Sequence, residues 1–301
     1  MPRNPAAPYL VLAIALVAVS FASIFARIAD AAPLAIAAWR MGLAALVVIP
    51  VALTDHAEAR PAFRDAALAA AAGLLLALHF ATWIASLDYT SIARSVLLVS
   101  TAPIWVAILL FVSGRGAPAR RTILALAFAV GGVAVSSTGH YRGEGVWTGD
   151  LLALAGAIAM AAYLLLSQRA QSRLPFRSYL ALAYGSAAAA LWFVVLSTNT
   201  PAAGFGAATW WALAGMAVIS QLIGHSGYNW SLRHLSPLFV AVVLVGEPVL
   251  ASLLGWWLLG ERLDWQTGAG GILILTGILL GASAARPPPA AASTRPGSAT
   301  G

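Results

Sequence analysis

The sequence predicts an all-α membrane protein in which ten transmembrane helices form two inverted five-helix repeats. Three observations support this prediction: an apolar composition, ten separate apolar runs, and a repeat that relates the two halves. Hydrophobic residues make up 61% of the 301 residues and charged residues only 9%, whereas a soluble domain averages about 25% charged residues. So few charges could not cover a soluble globule, which excludes soluble enzymes, nucleic-acid-binding domains and disordered proteins.

Ten apolar runs follow one another along the chain. A membrane-spanning helix needs about 20 mostly apolar residues, and long uncharged stretches favour helices over the alternating strands of a membrane β-barrel. The first run is too long for a signal peptide, and nine further runs follow it. The runs lie at about residues 8–29, 33–53, 66–86, 92–113, 121–138, 150–168, 177–197, 208–230, 236–258 and 267–285.

The distribution of arginine predicts the orientation in the membrane. With the N-terminus in the cytoplasm, twelve arginines fall in cytoplasmic segments, and only Arg27, Arg94, Arg142 and Arg262 fall in outer segments. Cytoplasmic loops of membrane proteins carry such an excess of basic residues. We therefore expect a multi-pass protein of a bacterial cytoplasmic (inner) membrane with both termini in the cytoplasm.

One transmembrane domain, residues 1–285, is expected to precede a disordered cytoplasmic tail, residues 286–301. The tail is rich in Pro, Ala and Ser and cannot bury a core. Arginines between apolar runs attract anionic lipid, so membrane lipids and a small-molecule substrate are the expected partners, and nucleic acid is not. The chain has no cysteine, so disulfides and thiolate metal sites are excluded; no cofactor is expected. The oligomeric state stays open, and a monomer is compatible with the sequence.

The two halves of the chain resemble each other. At an offset of 145 residues, Ser86 aligns with Ser231, Pro103 with Pro248 and Gly132 with Gly277. Repeat 1 therefore covers about residues 8–138 and repeat 2 about residues 150–285. Because each half holds five spans, the second half enters the membrane from the opposite side. Inverted repeats of this kind are typical of secondary transporters, whose site lies between the repeats near the middle of the membrane.

The segment GEPVLASLLGWWLLGERLDWQTGAGGILILTGILL, which begins at Gly246, resembles the second repeat of EamA transporters in the drug/metabolite transporter superfamily. That repeat has Glu-Pro in helix 9, Gly-Glu after it and a Gly-rich last helix. The first half matches more weakly, with Arg40 in helix 2 and Pro103 in helix 4, and has Gly114-Arg115 where Gly-Glu is common.

The resemblance covers about residues 8–285. It implies a ten-helix secondary transporter, not an enzyme, that exports small metabolites by alternating access. Amino acids are the favoured substrate class because amino-acid exporters belong to the family. Multidrug or quaternary-cation transport and lipid transport, on the same fold, remain alternatives.

Polar side chains form a stripe on each of two equivalent helices, at spacings that place them on one helical face. Equivalent stripes on inverted helices would face one central cavity, so we expect a substrate pocket there, with Tyr163 of helix 6 at its edge. The alternative is that these groups bond across packed helices. The stripes comprise His79, Thr82, Trp83 and Ser86 on helix 3, and Gln221, His225, Tyr228 and Asn229 on helix 8.

Two charged residues lie well inside predicted spans, away from the span ends, where charge is costly and usually functional. Glu247 lies near the middle of helix 9 and Arg40 in helix 2. Glu247 is a candidate proton site, substrate-amine contact or structural acceptor. Arg40 is interpreted as a gating or coupling residue that pairs with Asp30, Asp88 or Glu247, with binding of a substrate carboxylate as the alternative.

Two prolines occupy equivalent positions in helices 4 and 9. Proline removes a helical hydrogen bond and bends a helix. Our hypothesis is that Pro103 and Pro248 are symmetric hinges for alternating access. The alternative is a static bend that makes room for the cavity.

Two other classes of protein compete with a transporter. Gly224-His225-Ser226-Gly227 matches the GxSG of intramembrane serine proteases, whose serine needs a histidine base from another helix. A channel would need a filter-like sequence, which is absent. The sequence also has no P-loop, no HExxH and no GxGxxG motif, which argues against an ATP-driven pump and against a metal or dinucleotide site.

Overall fold

A computed structural model describes residues 5–54, 61–86, 89, 95, 98–115, 118–137, 147–260 and 265–284. Within these ranges every regular element is a helix. Helices satisfy their backbone groups internally, as an apolar surrounding requires. The predicted tail, residues 286–301, and Asp88 lie outside the described residues.

Each predicted apolar run contains one described helix, except the ninth, which contains two, so the prediction of an all-helical membrane protein is confirmed. The described part of the fourth helix begins ten residues later than its predicted run. The helices are α1 (Ala7–Ile28), α2 (Pro33–Leu53), α3 (Phe63–Ser86), α4 (Ala102–Val112), α5 (Arg120–Ser137), α6 (Trp147–Gln171), α7 (Phe176–Ser197), α8 (Ala207–Ser231), α9a (Pro237–Leu244), α9b (Glu247–Leu259) and α10 (Trp265–Ala284).

Seven helical units of the described chain are long and apolar enough to span a membrane: α1, α2, α3, α6, α7, α8 and the unit formed by α9a and α9b. The described helices of the fourth and tenth runs contain shorter apolar stretches, Ala102–Val112 and Gly268–Gly281. Apolar side chains cover much of the outside, and many large ones are exposed. Such a surface fits contact with lipid rather than with water.

Three spans depart from a regular α-helix. The middle of α8, Met216–His225, is a π-helix, a form that is rare and frequent at functional sites. The ninth span breaks at Val245 and Gly246, whose N–H groups donate three residues back, to Val242 and Val243. Pro248 lies in the first turn of α9b, and Pro103 lies in the first turn of α4. Proline fits that position because first-turn N–H groups have no helical acceptor.

The helix interfaces are symmetric with respect to the two halves of the chain. The largest interfaces join α5 with α10, α3 with α6, α2 with α7 and α1 with α8. Exchanging the halves converts the α3–α6 interface into the α8–α1 interface and leaves α5–α10 and α2–α7 unchanged. This pairing is what a pseudo-twofold axis between two five-helix repeats produces, and five spans per repeat make the repeats inverted.

Small residues allow close approach between α1 and α8. A Cβ atom on Gly215 would lie 2.6 Å from the ring of Phe25, and one on Gly224 would lie 2.6 Å from a methyl of Val19. Close packing through glycine is common between helices in membranes, where no hydrophobic force drives them together. It fixes the π-helical segment of α8 against α1 at the centre of the molecule.

Candidate functional site

A cavity of about 120 Å³ lies between the two halves. Helices α1, α2, α3 and α4 from the first half and α6, α8, α9a and α9b from the second contribute to its wall. Most of the wall is apolar, and the polar groups are few, as in most small-molecule sites. Eight residues predicted from the sequence line it: Arg40, His79, Trp83, Pro103, His225, Tyr228, Glu247 and Pro248.

Arg40 is the cation of this wall, and its side chain is 2% exposed. Its Nε donates to Oε1 of Gln221 at 2.7 Å, and the guanidinium carbon lies 4.3 Å from the centroid of the Phe80 ring. Nη2 has no hydrogen-bond partner among the residues that the structure describes. Among the described carboxylates none lies within 4.0 Å, so the predicted pairs with Asp30 and Glu247 do not form. An amide and an aromatic face hold Arg40 instead.

His79 and Trp83 lie one helical turn apart on α3 and form one side of the cavity. Their rings stack with centroids 5.9 Å apart and an angle of 11° between planes. Nδ1 of His79 lies 2.9 Å from the carbonyl oxygen of Gly156; because a carbonyl only accepts, Nδ1 carries a proton and donates it. Nε1 of Trp83 is a buried donor without a partner in the described ranges.

His225 and Tyr228 on α8 form the equivalent pair in the second half. Nδ1 of His225 and the hydroxyl of Tyr228 share a hydrogen bond, and the two rings lie 4.6 Å apart. The ring of Phe80 lies 5.3 Å from that of His225 and 5.1 Å from that of His79. Phe80 therefore joins the two stripes into one aromatic wall.

Glu247 is the acidic residue among the residues that line the cavity. It occupies the first turn of α9b, where the helix dipole favours a negative charge. Its backbone carbonyl oxygen accepts from the hydroxyl of Ser20 on α1 at 3.5 Å. The break of the ninth span thus carries the acid of the cavity, and the wall holds one cation and one acid.

Four predicted substrate residues do not line the cavity. Ser86 bonds to Ser95 at 2.6 Å and so ties the end of α3 to the following segment. Gln221 lies behind Arg40 and orients it. Tyr163 and Asn229 belong to a buried network of hydroxyl and amide groups between α6, α7 and α8.

In this network Tyr179 is the central residue. Its hydroxyl is 2.7 Å from Oγ of Ser167, 3.1 Å from Oδ1 of Asn229 and 3.5 Å from the hydroxyl of Tyr163. Nδ2 of Asn229 donates to Tyr163 at 2.6 Å and to the carbonyl oxygen of His225 at 2.8 Å. These bonds hold α8 against α6 and α7 directly behind the aromatic wall.

Sequence reasoning missed Phe80, Tyr179 and Ser167. Phe80 is one apolar residue in an apolar helix, and nothing local distinguishes it from residues that face lipid. Tyr179 and Ser167 pair across helices, so only the packing of α6 against α7 brings them together. The neighbouring polar residues of α3 were the one available signal for Phe80.

Ser226, the serine of the GxSG match, bonds to the hydroxyl of Tyr184 at 3.0 Å and to the carbonyl oxygen of Gln221 at 3.4 Å. His79 bonds to Gly156 and His225 to Tyr228. The described contacts thus lack the serine–histidine bond that a protease would need. Among the described residues, no group of three His, Asp or Glu side chains is placed to hold a metal ion.

Comparison with known proteins agrees with this architecture. The family model described as EamA-like transporter family matches twice, at residues 6–138 and 147–282. An uncharacterized transporter of Archaeoglobus fulgidus is 26% identical over 261 residues, which are 86% of this chain and 90% of that protein. A second one from the same organism is 23% identical over 198 residues, 65% of this chain and 68% of that protein.

A solved structure, described as a crystal structure of protein, has the same fold with a TM-score of 0.75 at 17% identity. It covers 92% of this chain and 96% of its own. The two family matches fall one in each half, as the predicted repeats do. The chain therefore belongs to the EamA-like transporter family.

Proposed function

We propose that this transporter exports small organic metabolites, amino acids first among them, by alternating access. The observation that supports this most is the composition of the central cavity. Arg40 and Glu247 line one small cavity whose remaining wall is mostly apolar. An α-amino acid carries a carboxylate, an ammonium group and a side chain, and such a wall offers a partner for each.

Alternating access is supported by the position of the cavity. It lies between the repeats, and both the fourth and the ninth spans have a proline in a first helical turn at its wall. Discontinuous helices at the repeat interface are where secondary transporters bind substrate. The cavity volume of about 120 Å³ is below the roughly 300–1,000 Å³ of pockets for drug-sized ligands, which favours a small substrate.

The membrane and the direction of transport are part of the proposal. The excess of arginine in the segments assigned to the cytoplasm supports a bacterial cytoplasmic membrane with both termini inside. Export is supported by the resemblance to EamA transporters, which usually export small metabolites. Glu247 is proposed as a coupling or substrate-amine site.

Quaternary cations are the second candidate substrate class. Phe80, Trp83 and Tyr228 are aromatic residues that line the cavity, and aromatic rings attract ammonium groups. Against this candidate, a cationic substrate would have to enter beside Arg40, which has no described carboxylate within 4.0 Å.

The test is uptake into inside-out vesicles that contain the full-length protein. A mixture of radiolabelled amino acids is offered with and without an imposed proton gradient, to wild type and to Glu247→Gln, with vesicles lacking the protein as the control. Saturable uptake in the protein-containing vesicles alone is the expected result. Dependence on the gradient that is lost in Glu247→Gln would assign coupling to Glu247.

Two results would contradict the proposal. Uptake of radiolabelled tetraethylammonium without uptake of any amino acid would favour the cation transporter. Inhibition of the measured uptake by lipids, and by no soluble metabolite, would favour lipid transport.

A further inference from the structure

The unpartnered polar groups at the cavity are hydrogen-bond donors. Nη2 of Arg40, Nε1 of Trp83 and Nε2 of Gln221 are buried and have no partner in the described part of the chain. Arg40 and Trp83 line the cavity, and Gln221 contacts Arg40. Buried donors normally have partners, and each one left without a partner destabilises the protein.

Burial of Arg40 makes this shortage of acceptors acute. A buried charge is normally paired with an opposite charge, yet within the described ranges only Nε of this guanidinium has a hydrogen-bond partner, a neutral amide oxygen. Glu247 lines the same cavity but lies more than 4.0 Å from it, beyond the range of an ion pair. Glu247 therefore does not accept a hydrogen bond from the guanidinium of Arg40.

We propose that Arg40 and Trp83 together form the receptor for the carboxylate group of the substrate. Both donor atoms are fully buried, so a carboxylate reaches them only when the cavity widens around the substrate. It then accepts from the guanidinium and from the indole N–H, which satisfies both donors and neutralises the buried charge. Arginine suits this role because its planar fork matches the geometry of a carboxylate. Gln221 and Phe80 act as positioning residues, since they hold the guanidinium from behind and from one face.

This assignment rests on the proposed function, but it makes a narrower claim that can be tested by binding alone. Purified full-length protein in detergent is titrated with leucine, with its 2-oxo acid, with leucinamide and with 3-methylbutylamine. These compounds share one side chain and carry both charges, the carboxylate alone, the ammonium alone with an amide, and the ammonium alone. Ligand binding raises the midpoint temperature of unfolding with the logarithm of the ratio of ligand concentration to Kd, so a titration gives an apparent Kd.

The variants are Arg40→Lys, Arg40→Gln and Trp83→Phe. Trp39→Phe is the matched control, because Nε1 of Trp39 donates to the carbonyl oxygen of Ala202 at 2.8 Å and the residue does not line the cavity. In wild type the two carboxylates should bind more tightly than leucinamide and 3-methylbutylamine. In Trp83→Phe the Kd of both carboxylates should rise roughly tenfold to a hundredfold, as loss of a hydrogen bond to a charged group predicts. The Kd of leucinamide should change less than about twofold.

Several outcomes would overturn the assignment. One is that wild type binds leucine and leucinamide equally. Another is that no variant changes the ratio of these two affinities. The third is that none of the four compounds binds. Chloride that competes with the 2-oxo acid at equal affinity would assign the donors to inorganic anions and also overturn it. If the Arg40 variants fail to fold, Trp83→Phe and the wild-type series still decide.

The same assay separates this inference from the proposed function. Tight binding of leucine and its 2-oxo acid with no vesicle transport of amino acids would contradict amino-acid export and leave the carboxylate receptor standing. Transport of leucine together with indifference to the carboxylate would do the reverse.

Discussion

Gly132 and Gly277 contact each other's helices in reciprocal positions. A Cβ atom on Gly132 would lie 2.6 Å from the carbonyl oxygen of Gly270 and 2.7 Å from Cγ1 of Ile274. A Cβ atom on Gly277 would lie 2.8 Å from both the carbonyl oxygen of Ala125 and the amide nitrogen of Ala129. Adding or subtracting 145 from the residue numbers of one contact gives the residue numbers of the other. Residues related by the sequence offset are therefore also related by the pseudo-twofold rotation that exchanges α5 and α10.

Replacement of either glycine by alanine should destabilise the protein. Its Cβ would meet backbone atoms nearer than 3.0 Å, and overpacking of this kind costs about 1–3 kcal/mol. Gly131→Ala is the matched control, since a Cβ there has open space and alanine favours a helix over glycine by about 1 kcal/mol. Denaturant titration in micelles should show opposite signs for Gly132→Ala and Gly131→Ala. Equal effects would show that α5 and α10 do not pack as closely as described.

The repeat could be predicted from the sequence because few residue types fit the equivalent positions of both halves. One offset without gaps aligns Gly132 with Gly277 and Pro103 with Pro248. Positions that require a small residue or that lack a backbone N–H are recognisable in the sequence because Gly and Pro occupy them. The π-helix of α8 was not predictable, because Met216–His225 has the same apolar pattern as an ordinary helix. This segment packs closely against α1 through Gly224, a contact that no local pattern reveals.

Exchange of Gln221 for glutamate should weaken substrate binding and leave the fold intact. The new carboxylate would lie at the position that accepts from Nε of Arg40, 2.7 Å away in wild type, and would neutralise the guanidinium. The Kd of leucine should then rise about tenfold, the loss of one charged hydrogen bond, with an unchanged or higher midpoint of unfolding. Ser220→Ala is the control, because the buried Oγ of Ser220 has no partner in the described part of the chain and its removal should cost little. Unchanged leucine affinity in Gln221→Glu would argue that Arg40 does not bind the carboxylate.

Removal of the Asn229 side chain should lower stability and not substrate affinity. Asn229 bonds to Tyr163, Tyr179 and the backbone of His225, and polar bonds between membrane helices contribute about 0.5–2 kcal/mol. Asn229→Ala and Tyr179→Phe should both unfold at lower denaturant, whereas Tyr184→Phe should lose less because its described side-chain bond is the one to Ser226. KM for uptake should stay within about twofold, since the network does not line the cavity. A rise in KM at full stability would restore Asn229 as a substrate contact.

The distinction between lining and supporting residues is what the sequence alone could not give. The stripes of α3 and α8 place polar groups on one face, but a helical face is wide enough to hold both kinds. Trp83 and Tyr228 line the cavity, while Ser86 and Asn229, one turn or less away from them, bond to other groups behind it. Which of two neighbours faces the cavity is decided by the helices packed against them, and these come from distant parts of the chain.

Replacement of Pro103 and Pro248 by alanine should slow transport with little change in binding. Each proline begins a helical segment beside the cavity; alanine supplies the missing N–H and lets the helix continue through the break, which stiffens it. The rate of leucine uptake should fall severalfold in each variant and further in the double variant, while the Kd from thermal titration stays the same. Pro50→Ala is the control, because Pro50 lies inside α2 but is exposed and away from the cavity. Normal rates in the double variant would reduce both prolines to static bends, and equal slowing in Pro50→Ala would show that any helical proline has the same effect.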